Sequence, residues 1–158
     1  MSVQTIITGD KTPILRAETE NVNSFSKNLQ KLITDLHDTV TFAKGAGLAA
    51  PQINSSLKVC VARVGGTFIT LVNPSIIWCS EETDIAEEGC LSLPEVWIHV
   101  ERPIAIVVRF QNEKGRKEER KLSEIDARVV QHEVDHLHGK LIVDYQEMGG
   151  GHAEAEAL

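Results

Sequence analysis

Apolar residues recur along the chain with two different periods. Phe25, Leu29, Leu32, Leu36, Val40 and Ala43 are separated by steps of four, three, four, four and three, the single stripe of an amphipathic helix. Asn23 or Ser24 stands where a side-chain cap is needed, and Gly45 where a left-handed residue ends such a helix. The middle of the chain changes period. Val59 and Val61, then Ile69 and Leu71, alternate on either side of Gly65-Gly66, which predicts a tight hairpin. Residues 76–80, 96–100 and 104–110 are further β-branched runs, 112–115 is a turn, and 116–121 predicts a charged, exposed returning strand. Helical spacing then resumes. Ile125, Val129, His132 and His136 fall on one face, Ser123 with Asp126 has the pattern of a capping pair, and Gly139 marks the stop. A last short strand is predicted over 141–143. Helix, many strands, helix, without regular interleaving, is an α+β arrangement. Its expected form is antiparallel β-sheets packed around the later helix, plus one helix in the N-terminal half.

Composition narrows the picture. The 158 residues fit one domain, drawn here as 1–145, and Gly149-Gly150-Gly151 interrupts a short tail, 146–158, expected to be mobile. An apolar share of 42% with 25% charged residues excludes whole-chain disorder. Sixteen Lys and Arg against 23 Asp and Glu leave a net charge of −7, a poor match for nucleic acid or anionic lipid. No apolar run approaches the roughly 20 residues that span a bilayer, and no basic-then-apolar leader opens the chain. Cys60, Cys79 and Cys90 are an odd number in a chain too large to need staples, which points to a reducing, cytoplasm-like setting.

The strongest chemical signal is His132-Glu133-Val134-Asp135-His136. On a helix, residues four apart share a face with Cβ atoms about 5–6 Å apart, so two imidazoles there can bind one metal ion. Glu133 sits one position round, within reach of a water on that ion. The same string also fits a helix surface with two exposed histidines. Asp135 points away from the pair, and His138 lies off the ligand face. Two histidines leave a catalytic site one ligand short. Cys90, in Glu88-Gly89-Cys90-Leu91-Ser92 between predicted strands, is the best third candidate, because a thiolate suits borderline-soft metals. Cys60 and Cys79 read as small buried hydrophobes. In Gly45-Ala46-Gly47-Leu48-Ala49-Ala50-Pro51-Gln52 the small residues expose the backbone, and Gln52 offers an amide hydrogen to an oxyanion. By itself that segment is equally a helix end running into a loop.

Together the three segments resemble the peptide deformylase family, whose signatures run G-x-G-L-A-A-P-Q, E-G-C-L-S and Q-H-E-x-D-H-L-x-G. They stand here at 45–52, 88–92 and 131–139, in that order, and the resemblance spans the first helix through about Tyr145. It implies an enzyme that hydrolyses the N-formyl group from the initiator methionine of nascent polypeptides, releasing formate. It implies Fe²⁺ held by Cys90, His132 and His136, with Zn²⁺, Ni²⁺ or Co²⁺ able to substitute. Glu133 is then general base and acid, and the Gln52 amide and Leu91 N–H donate to the oxyanion. The peptide lies extended beside Gly47 and Gly89, with Glu88 a neighbour, and Ile125 and Val129 wall a methionine pocket. Glu88 and Arg102 are read as a supporting ion pair. The implied partners are N-formylmethionyl peptides in a cytoplasm, bacterial or of a viral host, with no direct nucleic acid and no membrane.

Two features depart from common members. Ribosome docking by a C-terminal helix is not expected, because only residues 146–158 follow Tyr145. Trp97 stands where some members have a basic residue, so binding beyond methionine is expected to differ. A zinc peptidase is the chief rival, but it needs a further ligand downstream, where only His138, Asp144, Glu147 and the tail occur. A non-enzymatic, metal-stapled module is opposed by the presence of both Glu133 and Gln52.

Overall fold

The N-terminal apolar stripe forms a helix whose ends differ from the expected ones. In the computed structural model, which describes residues 2–148, a single turn α1, Pro13–Arg16, precedes helix α2, Lys27–Ala43. Ser26, rather than Asn23 or Ser24, caps α2, its side chain accepting the Leu29 N–H at 3.2 Å. Phe25 is therefore outside the helix, yet it packs on the same cluster as Leu29, Ile33, Leu36 and Val40. The left-handed residue is Lys44, with φ 58°, not Gly45. Backbone bonds from Lys44 to Thr41 and from Gly45 to Val40 close the helix end and offset that conformational cost.

The strands are β1 Gly47–Ala49, β2 Val59–Val64, β3 Thr67–Cys79, β4 Thr83–Cys90, β5 Leu93–Pro103, β6 Ala105–Gln111 and β7 Lys117–Ser123. They build an antiparallel five-stranded sheet in the order β1-β2-β3-β6-β7 and a separate two-stranded β4-β5 sheet. The glycine hairpin forms as expected, pairing Val64 with Thr67 across Gly65 and Gly66, both at positive φ. Along β2 the side chains alternate. Val59 and Val61 join the α2 cluster, while Cys60, Ala62 and Val64 face the other way. The edge strand β7 carries the predicted charge, which discourages pairing with other chains.

Several expectations are corrected. Residues 76–80 are not a separate strand but the end of β3, displaced by bulges on either side of Ser75 and Ile76. Cys79 is exposed there, not buried. Cys90 does not lie between strands but ends β4, a strand whose acidic sequence Thr-Asp-Ile-Ala-Glu-Glu-Gly-Cys hides its character. Residues 141–143 are not a strand. The Leu141 N–H donates to Asp144 Oδ2 at 2.9 Å and starts a 3₁₀ segment, Ile142–Met148. The glycine-containing tail from residue 149, with the ribosome-docking expectation attached to it, lies outside the described residues.

Helix α3, Glu124–Leu137, follows β7 directly, the chain turning at Glu124 with φ 57°. Ser123 makes no side-chain cap bond, and Asp126 instead accepts the Gly65 N–H of the hairpin at 3.2 Å. Gly139, at φ 72°, ends the helix as expected. Ala127, Val129, Val130, Val134 and Leu137 of α3 pack against Leu71, Ile106 and Val108 of the five-stranded sheet. α2 and α3 thus cover opposite faces of that sheet. The β4-β5 sheet has its own cluster, Leu93, Ile98 and Val100 with Leu141 and Ile142.

Candidate metal centre

Three buried groups from two elements converge beside α3. The sulfur of Cys90 and ring nitrogens of His132 and His136 all lie within 4.8 Å of one another, and Cys90 Sγ is 3.3 Å from His136 Nε2. The four-residue helical spacing sets the imidazoles side by side, with ring centroids 5.0 Å apart. The sulfur arrives from β4, where the β4-β5 register shifts between Gly89 and Cys90 and re-aims the side chain.

Hydrogen bonding fixes one ring and leaves other atoms unsatisfied. Glu88 Oε1 lies 2.9 Å from His132 Nδ1, so Nε2 is the nitrogen turned to the sulfur. His132 Nε2, His136 Nδ1 and both oxygens of Glu133 are buried with no hydrogen-bond partner among the described residues. Such orphans are costly unless a ligand completes them. The two rings respond to their surroundings in opposite directions. Burial drives His136 well below the usual histidine range, to the neutral ring a ligand needs. Burial pulls His132 the same way, but Cys90, Glu88 and Glu133 outweigh it and raise its pKa. One thiolate and two imidazoles make a donor set for a borderline-soft divalent cation, with a fourth position left for water or substrate.

Glu133 is fully buried, and burial pushes its carboxyl up to about 7 against the pull of His132. Gly47 makes room for it, since a Cβ there would fall 2.5 Å from Glu133 Oε2. Gln52, in the 3₁₀ turn Ala50–Ile53, has its amide orientation set from both ends. Its Oε1 accepts the Ala49 N–H at 2.9 Å, and its Nε2 donates to Ser92 Oγ at 3.0 Å and lies 3.9 Å from Cys90 Sγ. The Leu91 side chain crowds Gly45, which ties the second signature segment to the first.

Glu88 corrects one expectation. Its side chain is fully buried and both oxygens are taken, so it serves the histidine rather than the peptide. Arg102 grips it with two bonds of 2.6 and 2.8 Å, which makes the expected ion pair a buried one. Burial raises the Glu88 carboxyl, but Arg102 and His132 hold it well below the usual carboxylate range. Asp135 is no ligand, as read from its position. It accepts from Arg102 at 2.9 Å and from Tyr145 Oη at 2.6 Å. His138 pairs with Glu18 at the exposed helix end. Val129 is buried, whereas Ile125 is 60% exposed, an apolar side chain open to solvent two turns from His132. Gly89 lies under the Trp97 ring, where a Cβ would collide. Sequence reasoning missed Ser92, Tyr145 and Arg128. Only Arg128 left a trace, as a charge within the apolar run 127–130.

The sequence profile described as polypeptide deformylase matches residues 4–149. The chain belongs to the polypeptide deformylase family. A peptide deformylase of Thermotoga petrophila is 45% identical over 132 residues, covering 84% of this chain and 80% of that protein. One of Bartonella tribocorum is 40% identical over 140 residues, covering 84% and 79%. Among solved structures, the peptide deformylase of Thermotoga maritima superposes with a TM-score of 0.87 at 40% identity, covering 91% of this chain and 97% of that one. A class I type b peptide deformylase of Acinetobacter baumannii, solved with Met-Ala-Ser bound, gives 0.86 at 32% identity, covering 91% and 99%. As a member of that family the chain is an enzyme, a metal-dependent hydrolase that removes the N-formyl group from nascent formylmethionyl peptides. Its Cys90, His132 and His136 fit the metal that the family requires.

Proposed function

We propose that Cys90, His132 and His136 hold Fe²⁺, with Zn²⁺, Ni²⁺ or Co²⁺ able to substitute, and that Glu133, Gln52 and the Leu91 N–H carry the remaining chemistry within a single catalytic unit, 1–145. The observation that carries the reading is the convergence of the three donors within 4.8 Å beside a buried, unpartnered Glu133 carboxylate. A cation bound there polarises the formyl carbonyl and lowers the pKa of water beside it. Glu133 takes the proton of the attacking water and delivers it to the departing amine, and the burial that raises its carboxyl favours the protonated form it passes through. The Gln52 amide, held by Ala49 and Ser92, and the Leu91 N–H donate to the formyl oxygen as it gains charge. The products are formate and a peptide with a free amino terminus.

The peptide adds as an extended strand beside Gly47 and Gly89, β1 being an edge of its sheet and β4-β5 having no further strands. Val129 and the exposed Ile125 wall the methionine pocket. Beyond methionine, Trp97 shapes a cavity of about 260 Å³ beside Leu91 and Pro94. We place the enzyme in the cytoplasm, where nascent chains are made, without direct nucleic-acid contact, in keeping with its net charge of −7. Among the described residues no helix is long and apolar enough to cross a membrane.

The test is formate release from formyl-Met-Ala-Ser by protein loaded with Fe²⁺ or Zn²⁺ under exclusion of oxygen. Both forms are expected to turn over, iron faster. Cys90→Ala is expected to lose metal and activity together. A Cys90→Ala protein that keeps both overturns the ligand assignment.

A further inference from the structure

Arg128 stands one turn before His132 on α3 and is buried at 6% exposure. Its guanidinium makes four hydrogen bonds, all to the β4-β5 sheet. Nη1 donates to Glu88 Oε2 at 2.6 Å and to the Val100 carbonyl at 2.9 Å. Nη2 donates to the Asp84 carbonyl at 3.1 Å and to its carboxylate at 2.8 Å. The apolar cluster of that sheet contains no residue of α3. The junction between the element bearing Cys90 and the helix bearing both histidines is therefore polar. It also includes Glu88 to His132, Arg102 to Asp135 and Gln131 to the Pro103 carbonyl.

We propose that Arg128 is a positioning residue of the metal centre. It clips α3 onto β4 and β5 at three points, and so sets the separation of Cys90 from His132 and His136. Together with Arg102 it also holds Glu88 so that Oε1 keeps the His132 ring with Nε2 facing the cation. The inference rests on the reading of Cys90, His132 and His136 as cation ligands. Geometry rather than charge is the active property. Arg128→Met removes a charge together with the fork, leaving Asp84 and one side of Glu88 uncompensated, so Arg128→Lys is the variant that separates geometry from charge. A lysine keeps the charge, but its single ammonium cannot reproduce a planar fork that reaches Glu88, Val100 and Asp84 together.

The experiment compares the full-length protein with Arg128→Met, Arg128→Lys and Arg109→Met after loading with Co²⁺. Arg109 pairs with Glu119 on the surface and serves as the control. The readouts are the visible absorption of thiolate-bound Co²⁺ and the rate of Co²⁺ release to EDTA. Arg128→Met is expected to release the ion about 10–100-fold faster with a shifted absorption. Arg128→Lys is expected to release it several-fold faster, and Arg109→Met to match wild type. The Michaelis constant for formyl-Met-Ala-Ser is expected to change little in all three. An Arg128→Lys protein with wild-type release and absorption overturns the proposal, and it decides the matter if Arg128→Met fails to fold. A wild-type protein showing no thiolate–Co²⁺ absorption overturns the cation site itself, a different failure.

Discussion

Toward the five-stranded sheet, helix α3 presents Val129, Val130, Val134 and Leu137; toward the β4-β5 sheet it presents Arg128, Gln131, His132 and Asp135. The first seam is apolar and close-packed, with a directional bond at its margin, from the Gly65 N–H to Asp126. Its contribution scales with buried area and tolerates small slips. The second is a chain of charged hydrogen bonds running from Tyr145 through Asp135, Arg102 and Glu88 to His132. Each link has a fixed length and angle, so it transmits orientation, and removing one partner strands a buried charge. One seam holds the helix in place and the other aims it. Glu133 and the two histidines of the proposed centre lie on α3 among these contacts, where position and aim are both required.

The comparison can be broken at graded cost. Glu133→Gln leaves both seams intact. It is expected to keep its metal, measured by elemental analysis, while formate release falls about 10²–10⁴-fold. Glu88→Ala breaks the aiming seam at its centre. With Arg102 and Arg128 left facing each other, urea unfolding is expected to show a loss of about 3–5 kcal/mol, and metal affinity a loss of about 10–100-fold. Leu71→Ala opens the apolar seam from the sheet side. It is expected to cost about 2–5 kcal/mol by the same unfolding measurement, yet leave the metal content and the Co²⁺ absorption at wild-type values. A spectral change there would show that the two seams do not divide the work. Tyr145→Phe trims the far end of the polar chain. It is expected to cost about 0.5–1.5 kcal/mol, with turnover within a factor of a few of wild type.

What the sequence made legible followed the same division. The histidine pair could be read because both residues belong to one helix and four positions define their geometry. The glycine hairpin and the α2 stripe were legible for the same local reason. Cys90 required three segments to be taken together, since nothing within 88–92 states which partners it meets. The acidic strand β4 was invisible because charge in a sequence reads as solvent exposure. Here Glu88 is buried only because arginines from β5 and α3 neutralise it. Arg128 and Tyr145 escaped notice for that reason too. Their partners are 40 and 10 residues away, and no periodicity connects them. The cap at Ser26 was missed by only two or three positions, because several polar residues in that stretch have the chemistry to close the helix.

The approach of Gly47 to Glu133 has a consequence for how the enzyme can fail. A carbon at position 47 would sit 2.5 Å from the carboxylate oxygen, so an alanine must displace the Glu133 side chain from its niche. No ionisable group, ligand or hydrogen bond need be altered for that to happen. One methyl on a β-strand, outside the helix that bears the histidines, would then disturb the proton transfer proposed for Glu133.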